Sequence, residues 1–256
     1  MADLEVDVAD SVLRVVLNRP QVLNALTAAM VDDLSATLEG LSSRDDVRAV
    51  LITGAGRAFS TGADLSGTDA HENFDVTALD RANRLVRAVV RSDKPVVAAV
   101  SGVAAGVGCS LALACDLVVA AESASFLLAF ARVGLMPDGG ATATVAAAVG
   151  RARAMRMALL AEPLTGREAY DAGLVSHLCQ DAELPETVDA LVRRLAEGAP
   201  LAQAATKRAV NAAALHHLEP ALESERRGQS LLLRTDDAAE GMAAFSERRP
   251  PRFSGE

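Results

Sequence analysis

Asp138 stands in GLMPDGG, residues 134–140, with a proline before it, two glycines after it and no other charge in the stretch. An acid so placed can do one of two things. Just ahead of the helix pattern GGATATVAAAVG it can accept N–H groups as an N-cap. Held among apolar neighbours, it can titrate near working pH and move protons as a general base. The bare sequence leaves both open. Two glycine-bearing turns, RAFSTGADL at 57–65 and SGVAAGVGCSLALACD at 101–116, offer a second kind of chemistry. Each follows an apolar strand and leaves unbonded backbone N–H groups, and the second opens a helix, whose N-terminus favours negative charge. Converging on one oxygen, they would form a hole for a carbonyl that becomes an enolate. The alternative is two tight turns of an α/β fold. Neither a dinucleotide nor a phosphate fingerprint is present with its spacing.

The elements that must carry these residues can be placed from period and punctuation. SVLRVVLN at 11–18 predicts a strand closed by Asn18-Arg19-Pro20, and Thr27 caps an amphipathic helix running to about Leu41. VRAVLITG at 47–54 is the next strand. A polar loop from Ser66 to about Thr77 leads to a helix, about Ala78 to Arg91, with Leu79, Leu85, Val86 and Val89 on one face. Residues 96–100, a helix over about Gly106 to Cys115, and the strand DLVVAA follow. Beyond Gly139 the pattern is mostly helical, interrupted by GLVSHL at 173–178. The chain therefore reads as α/β units followed by helices.

Composition narrows the function classes. The 256 residues are 50% hydrophobic, enough for a large core, and carry a net charge of −9 with 25 Lys and Arg scattered among 34 acids. Nucleic acid is not an expected partner, because phosphate binding needs clustered cations. The start, MADLEVDVAD, has neither a secretory nor a transit pattern, so a cytoplasmic location is expected. Cys109, Cys115 and Cys179 read as reduced thiols, and His71, His177, His216 and His217 have no metal-ligand spacing, so no metal is expected. The uncharged run 95–115 is long enough to span a bilayer, but Pro95, three glycines and a change from β-branched to small residues make it a buried strand, loop and helix.

NRPQVLNAL at 18–26, ITGAGRAFSTGADL at 52–65, KPVVAAVSG at 94–102, the turn at 106–116, GLMPDGG, LTGREAYDAGLV at 164–175 and FSERRPPRF at 245–253 occur together, in order and nearly end to end. In this the chain resembles the enoyl-CoA hydratase/isomerase, or crotonase, family. The resemblance implies an α/β spiral of repeated β-β-α units in residues 1–195 and a helical oligomerisation region in residues 196–256. It also implies homotrimers, often stacked as hexamers. It implies acyl-CoA as substrate, with coenzyme A part of that substrate and no separate cofactor. By position the two enolate-holding N–H groups are those of Ala63 and Val107. Valine replaces the family's usual glycine at 107, and is expected in the helical region at the helix start, narrowing the acyl pocket. Contacts to coenzyme A fall on Val22, Asn24 and Ala25, on Gly62, Asp64 and Leu65, and on Phe245 and Arg248. Val22 stands where the family often has a basic residue. Arg57, Lys94, Arg248 and Arg249 are candidates for the CoA phosphates, although each also reads as a solvated charge. Asp64 also reads as a turn acid that accepts N–H bonds from its own backbone.

The catalytic acids decide among reactions. Hydratases of this family use two glutamates, and the matching positions here are Ser110 and Phe130. Ser110 reads as a helix-start serine rather than a nucleophile, since no histidine lies near it in sequence. Moving a double bond from the 3,4 to the 2,3 position needs a single carboxylate, and in several family isomerases it sits in a P-[ED]-G-G turn, where Asp138 stands. The leading expectation is a 3,2-enoyl-CoA isomerase using Asp138, Ala63 and Val107. The alternatives are a hydratase drawing an acid from Asp69 or Glu72 in the polar loop, and a non-catalytic acyl-CoA binder.

Overall fold

The computed structural model describes residues 2–65 and 75–256. Strands β1 (Leu4–Ala9), β2 (Val12–Leu17), β3 (Ala49–Gly54), β5 (Val96–Val100), β7 (Leu117–Ala121) and β10 (His177–Cys179) form a six-stranded sheet in that spatial order. All its pairings are parallel except β1 with β2. Strands β4 (Ala58–Ser60), β6 (Val103–Ala105), β8 (Ser125–Leu127) and β9 (Leu164–Thr165) form a second, smaller sheet. From β3 to β8 consecutive strands thus alternate between the sheets. Helices α2 (Val76–Arg91) and α3 (Val107–Ala114) return the chain after β4 and β6, so β3-β4-α2 and β5-β6-α3 are successive turns of a spiral. Each turn delivers one strand-to-helix connection to the same end, which is how turns distant in sequence become neighbours.

Period-2 burial explains the layering. On β3, Val50 and Ile52 face the main core while Leu51 faces the other way. On β5, Val96, Ala98 and Val100 face the main core, and Val97 and Ala99 its opposite. That opposite face packs on Val188 and Val192 of α6 (Leu184–Ala196). All five residues of β5 are buried, as expected of a central parallel strand covered on both sides. On the main-core side lie α1 (Ala28–Glu39), whose Thr27 cap accepts the Met30 N–H at 3.2 Å, and α2, capped by Asp75. The uncharged run 95–115 resolves into β5, β6 and α3, and no helix among the described residues is long and apolar enough to cross a membrane.

After α4 (Ala141–Leu160, broken at Gly150) and the short α5 (Gly166–Asp171) come α7 (Pro200–Ala214), α8 (Leu218–Leu232) and α9 (Asp236–Glu247). The expected division between residues 195 and 196 falls at the last residue of α6. Beyond it, α8 and α9 share the main core through Leu218, Leu222, Ala238 and Met242. Several strands escape sequence patterning: β1 alternates too weakly, and β4, β6, β8 and β9 have only two or three residues each.

One buried ion pair ties α7 to the sheet. Lys207 Nζ lies 2.8 Å from Asp116 and also donates to the carbonyls of Val89 and Lys94, while Asp116 accepts the Val96 N–H at 2.7 Å. Removing the cation strands a carboxylate that burial already disfavours. Lys207→Met is therefore expected to lower unfolding free energy by about 3 kcal/mol in denaturant titrations; a loss below about 1 kcal/mol would mean that water solvates Asp116.

Candidate active site

The two glycine turns meet. Gly62, at φ +92°, lies so close to the second turn that a Cβ added to it would sit 2.8 Å from the Ala105 carbonyl oxygen and 3.2 Å from the Val107 nitrogen. Only a residue without a side chain permits this stacking. The loop after β4 is fixed from its other side by Leu26, whose N–H donates to the Gly62 carbonyl at 2.8 Å and whose carbonyl accepts the Asp64 N–H at 3.0 Å. Those bonds use the peptide groups on either side of Ala63 and turn the Ala63 N–H away from Leu26. Val107 is the first residue of α3, where N–H groups have no intrahelical acceptor. Neither N–H has a hydrogen-bond acceptor among the described residues. The positive φ of this turn falls on Gly106, at +52°, so Val107 takes helical geometry without strain, as expected.

Ala63, Val107 and Asp138 line one pocket of about 330 Å³, with Leu26, Thr27 and Ala82 among its other walls. The GLMPDGG turn reaches this pocket because it is wedged between α3 and α8. A Cβ on Gly139 would lie 3.0 Å from Ser110 Cβ, and one on Gly140 would lie 2.7 Å from a Leu218 methyl. Ser110 Oγ donates to the Asp138 backbone carbonyl at 2.8 Å. Gln229 on α8 donates from Nε2 to Asp138 Oδ2 at 3.1 Å. Asp138 Oδ1 is buried and has no hydrogen-bond partner among the described residues.

The cap reading of Asp138 is corrected by these contacts. The N-cap of α4 is Gly140, and the acceptor for the helix start is Glu225 of α8. Glu225 accepts the Gly140 N–H at 2.7 Å, the Thr142 N–H at 2.9 Å and the Thr142 hydroxyl. Asp138, 5% exposed, is left with a carboxyl that burial pushes up to about 7. The Gln229 hydrogen bond opposes that rise, and the nearby Glu225 charge adds to it. A carboxyl titrating there can both take and return a proton near neutral pH.

The remaining expected residues divide. Gly62 and Asp64 belong to the pocket loop, but Asp64 also forms an ion pair with Arg19 Nη1 at 2.7 Å, a partner missed in the sequence. Asn24 is fully buried: Nδ2 donates to the Ala55 and Ala58 carbonyls and Oδ1 accepts the Arg19 N–H, so its side chain braces the loops rather than reaching a ligand. Ala25 is buried beside it, Leu65 is half-buried and Val22 is exposed at 37%. Ser110 has its hydroxyl committed to the Gly106 and Asp138 carbonyls. Phe130, though buried, does not line this pocket. Phe245 and Arg248, exposed at the end of α9, do not line it either. Arg249 is held by Glu240 and Glu247. Asp69 and Glu72 lie outside the described residues. The functional neighbours that sequence reading missed are Glu225 and Gln229. Their signal was present: with Leu218 and Leu222 they fall on one helical stripe, and two polar residues continuing an apolar stripe mark a buried polar contact.

A model of the enoyl-CoA hydratase/isomerase family matches residues 7–256. A probable enoyl-CoA hydratase of Rhodobacter capsulatus is 42% identical over 251 residues, 97% of this chain and 96% of its own. The 1,2-epoxyphenylacetyl-CoA isomerase of Escherichia coli K12 is 38% identical over 253 residues, 97% of each chain. The crystal structure of an enoyl-CoA hydratase from Mycobacterium avium subsp. paratuberculosis K-10 matches with a TM-score of 0.93 at 47% identity, covering 99% of both chains. With convergent turns, an α/β spiral and end-to-end matches of this strength, the chain belongs to the enoyl-CoA hydratase/isomerase family.

Proposed function

We propose that this protein is an isomerase that shifts the double bond of a 3-enoyl-CoA thioester to the 2,3 position. The observation that carries the reading is the Asp138 carboxyl: it shares a pocket with two backbone N–H groups that, like its own Oδ1, have no partner among the described residues, and burial pushes it up to about 7. Ionised Asp138 removes a proton from C2, and the electrons of that C–H bond pass to the thioester oxygen. The N–H groups of Ala63 and Val107 hold that oxygen as it gains charge, with the N-terminus of α3 behind Val107 adding a favourable dipole. The protonated acid then gives its proton to C4, and the double bond re-forms between C2 and C3. One proton moves and nothing is consumed, so the reaction calls for no metal or separate cofactor. Leu26, Thr27 and Asp64 at the pocket wall adjoin Ala25 and Leu65, the stretch assigned to coenzyme A by resemblance.

Hydration of a 2-enoyl-CoA is the second reading, favoured by similarity to the probable enoyl-CoA hydratase of Rhodobacter capsulatus and to the 2,3-dehydroadipyl-CoA hydratase of Escherichia coli. It needs a second acid to activate and protonate across the bond. Ser110 and Phe130 supply none.

Purified protein is expected to convert 3-hexenoyl-CoA to 2-hexenoyl-CoA, and Asp138→Asn to lower that turnover by roughly three orders of magnitude while leaving acyl-CoA binding unchanged. Full turnover by the mutant would remove Asp138 from the chemistry, whereas water addition to 2-hexenoyl-CoA as the dominant activity would favour the hydratase.

The same substitution should alter the pH dependence of stability. Between the unfolded carboxyl value, about 4, and the folded value of about 7, the native state keeps a proton that the unfolded state has lost. Stability then falls as pH rises through that window, by at most about 1.4 kcal/mol per pH unit from this group. Asp138→Asn has no such loss, so its unfolding free energy relative to the native chain should rise from pH 4 to pH 8. A difference independent of pH in denaturant titrations would show that Asp138 ionises freely in the fold.

A further inference from the structure

Beyond the assignment of Asp138 as the base, and resting on it, we propose that Gln229 is the positioning residue of this site: it grips one carboxylate oxygen of Asp138 and so presents the other to the substrate. The grip is geometric. Gln229 is fully buried on α8. Its Oε1 accepts the Met136 N–H at 3.0 Å, and its Nε2 donates to the Met136 carbonyl at 2.8 Å and to Asp138 Oδ2 at 3.1 Å. Holding both polar groups of one residue fixes which end of the amide is which, because only the NH₂ end can donate toward the carboxylate. The adjacent Gly228 lets Met136 dock: a Cβ there would meet the Met136 sulfur at 2.4 Å. Every bond of the amide therefore serves the turn that carries Asp138.

A neutral donor suits this position. An arginine or lysine would hold the carboxylate ionised well below neutrality, and a methyl group would leave Oδ2 unsatisfied as well as Oδ1. Among the described residues, the charged groups around the acid are few. Glu225 faces it from α8, bound to the start of α4. Across the pocket are Arg81 of α2, engaged with Asp32, and Asp64 of the loop after β4, engaged with Arg19. Glu225 and Gln229, one turn apart on α8, divide the work: the first satisfies the helix start so that Asp138 need not, and the second aims the acid that is released.

The test compares wild type, Gln229→Met and Gln229→Glu over roughly pH 5 to 9, with 3-hexenoyl-CoA as probe and thermal unfolding and acyl-CoA binding as controls. Gln229→Met is expected to lower kcat about tenfold at neutral pH, to leave KM within about twofold, and to move the rising limb of the kcat profile up by about one pH unit. Gln229→Glu keeps the acceptor for the Met136 N–H but sets a second carboxyl against Asp138, so its limb should move further in the same direction. A purely structural role would lower unfolding temperature and leave the limb in place, and that result in either variant overturns the proposal. The proposal is also separable from the assignment of the reaction. Difference infrared titration of the Asp138 carboxyl band, with Asp138→Asn as blank, reads the grip without turnover. If wild type is inactive on the probe but the band titrates higher in Gln229→Met, the reaction is misassigned and the grip stands. A band titrating at the same pH in both defeats the grip whatever the reaction.

Discussion

The architecture of this site depends on how two helix N-termini dispose of their unpaired N–H groups. Every α-helix begins with donors that have no acceptor inside the helix. At α4 the donors of Gly140 and Thr142 are taken by Glu225, a carboxylate brought in from α8. At α3 the first donor, Val107, is met by no described group and opens on the pocket. One terminus is closed and the other left open, and Asp138 stands between them. Had the carboxylate next in sequence closed α4, the pocket would keep the open Val107 donor and lose its uncommitted carboxyl.

Leaving Asp138 uncapped has an energetic cost. A buried carboxyl with one hydrogen bond and one bare oxygen is less stable ionised than in water, and the site holds a second buried acid, Glu225, close enough to disfavour its charge further. The rest of the fold must over-determine the arrangement. It does so with close approaches at glycines: Gly62 meets the backbone of Ala105 and Val107, Gly139 the Ser110 side chain, and Gly228 the Met136 sulfur, each leaving little room for a Cβ. The contact at Gly62 is backbone to backbone and places the two amide-bearing turns without relying on flexible side chains, while the carboxylate is held by the side chains of Gln229 and Ser110.

The spiral supplies the remaining constraint. Because consecutive strands from β3 to β8 alternate between the two sheets, the turn just after β4 stacks on the β6-to-α3 connection, and the turns that hold Ala63 and Val107 become neighbours although they lie far apart in the chain. The apolar alternation on β3 and β5 fixes which face of the large sheet meets the main core. Helix α8 then closes over the GLMPDGG turn, with Leu218 and Leu222 buried against it and Glu225 and Gln229 continuing the same stripe into polar contact.

The sequence by itself determined what local pattern and residue type can carry. The strand at 96–100, the Thr27 cap and the stripe of α2 were legible because alternation, capping chemistry and helical period act over a few residues. The unstrained helical start at Val107 was legible for the same reason, and the absence of carboxylates at Ser110 and Phe130 is plain in the residue types. The shortest strands were not legible, since two or three residues cannot show a period. Nor was it legible whether the Asp138 side chain caps α4. That depended on whether another acceptor reaches the α4 terminus, and the one that does is 85 residues away from Gly140 in the chain. Hydrogen-bond acceptors compete by distance in space, and only the tertiary packing of α8 on that turn decides which of them wins.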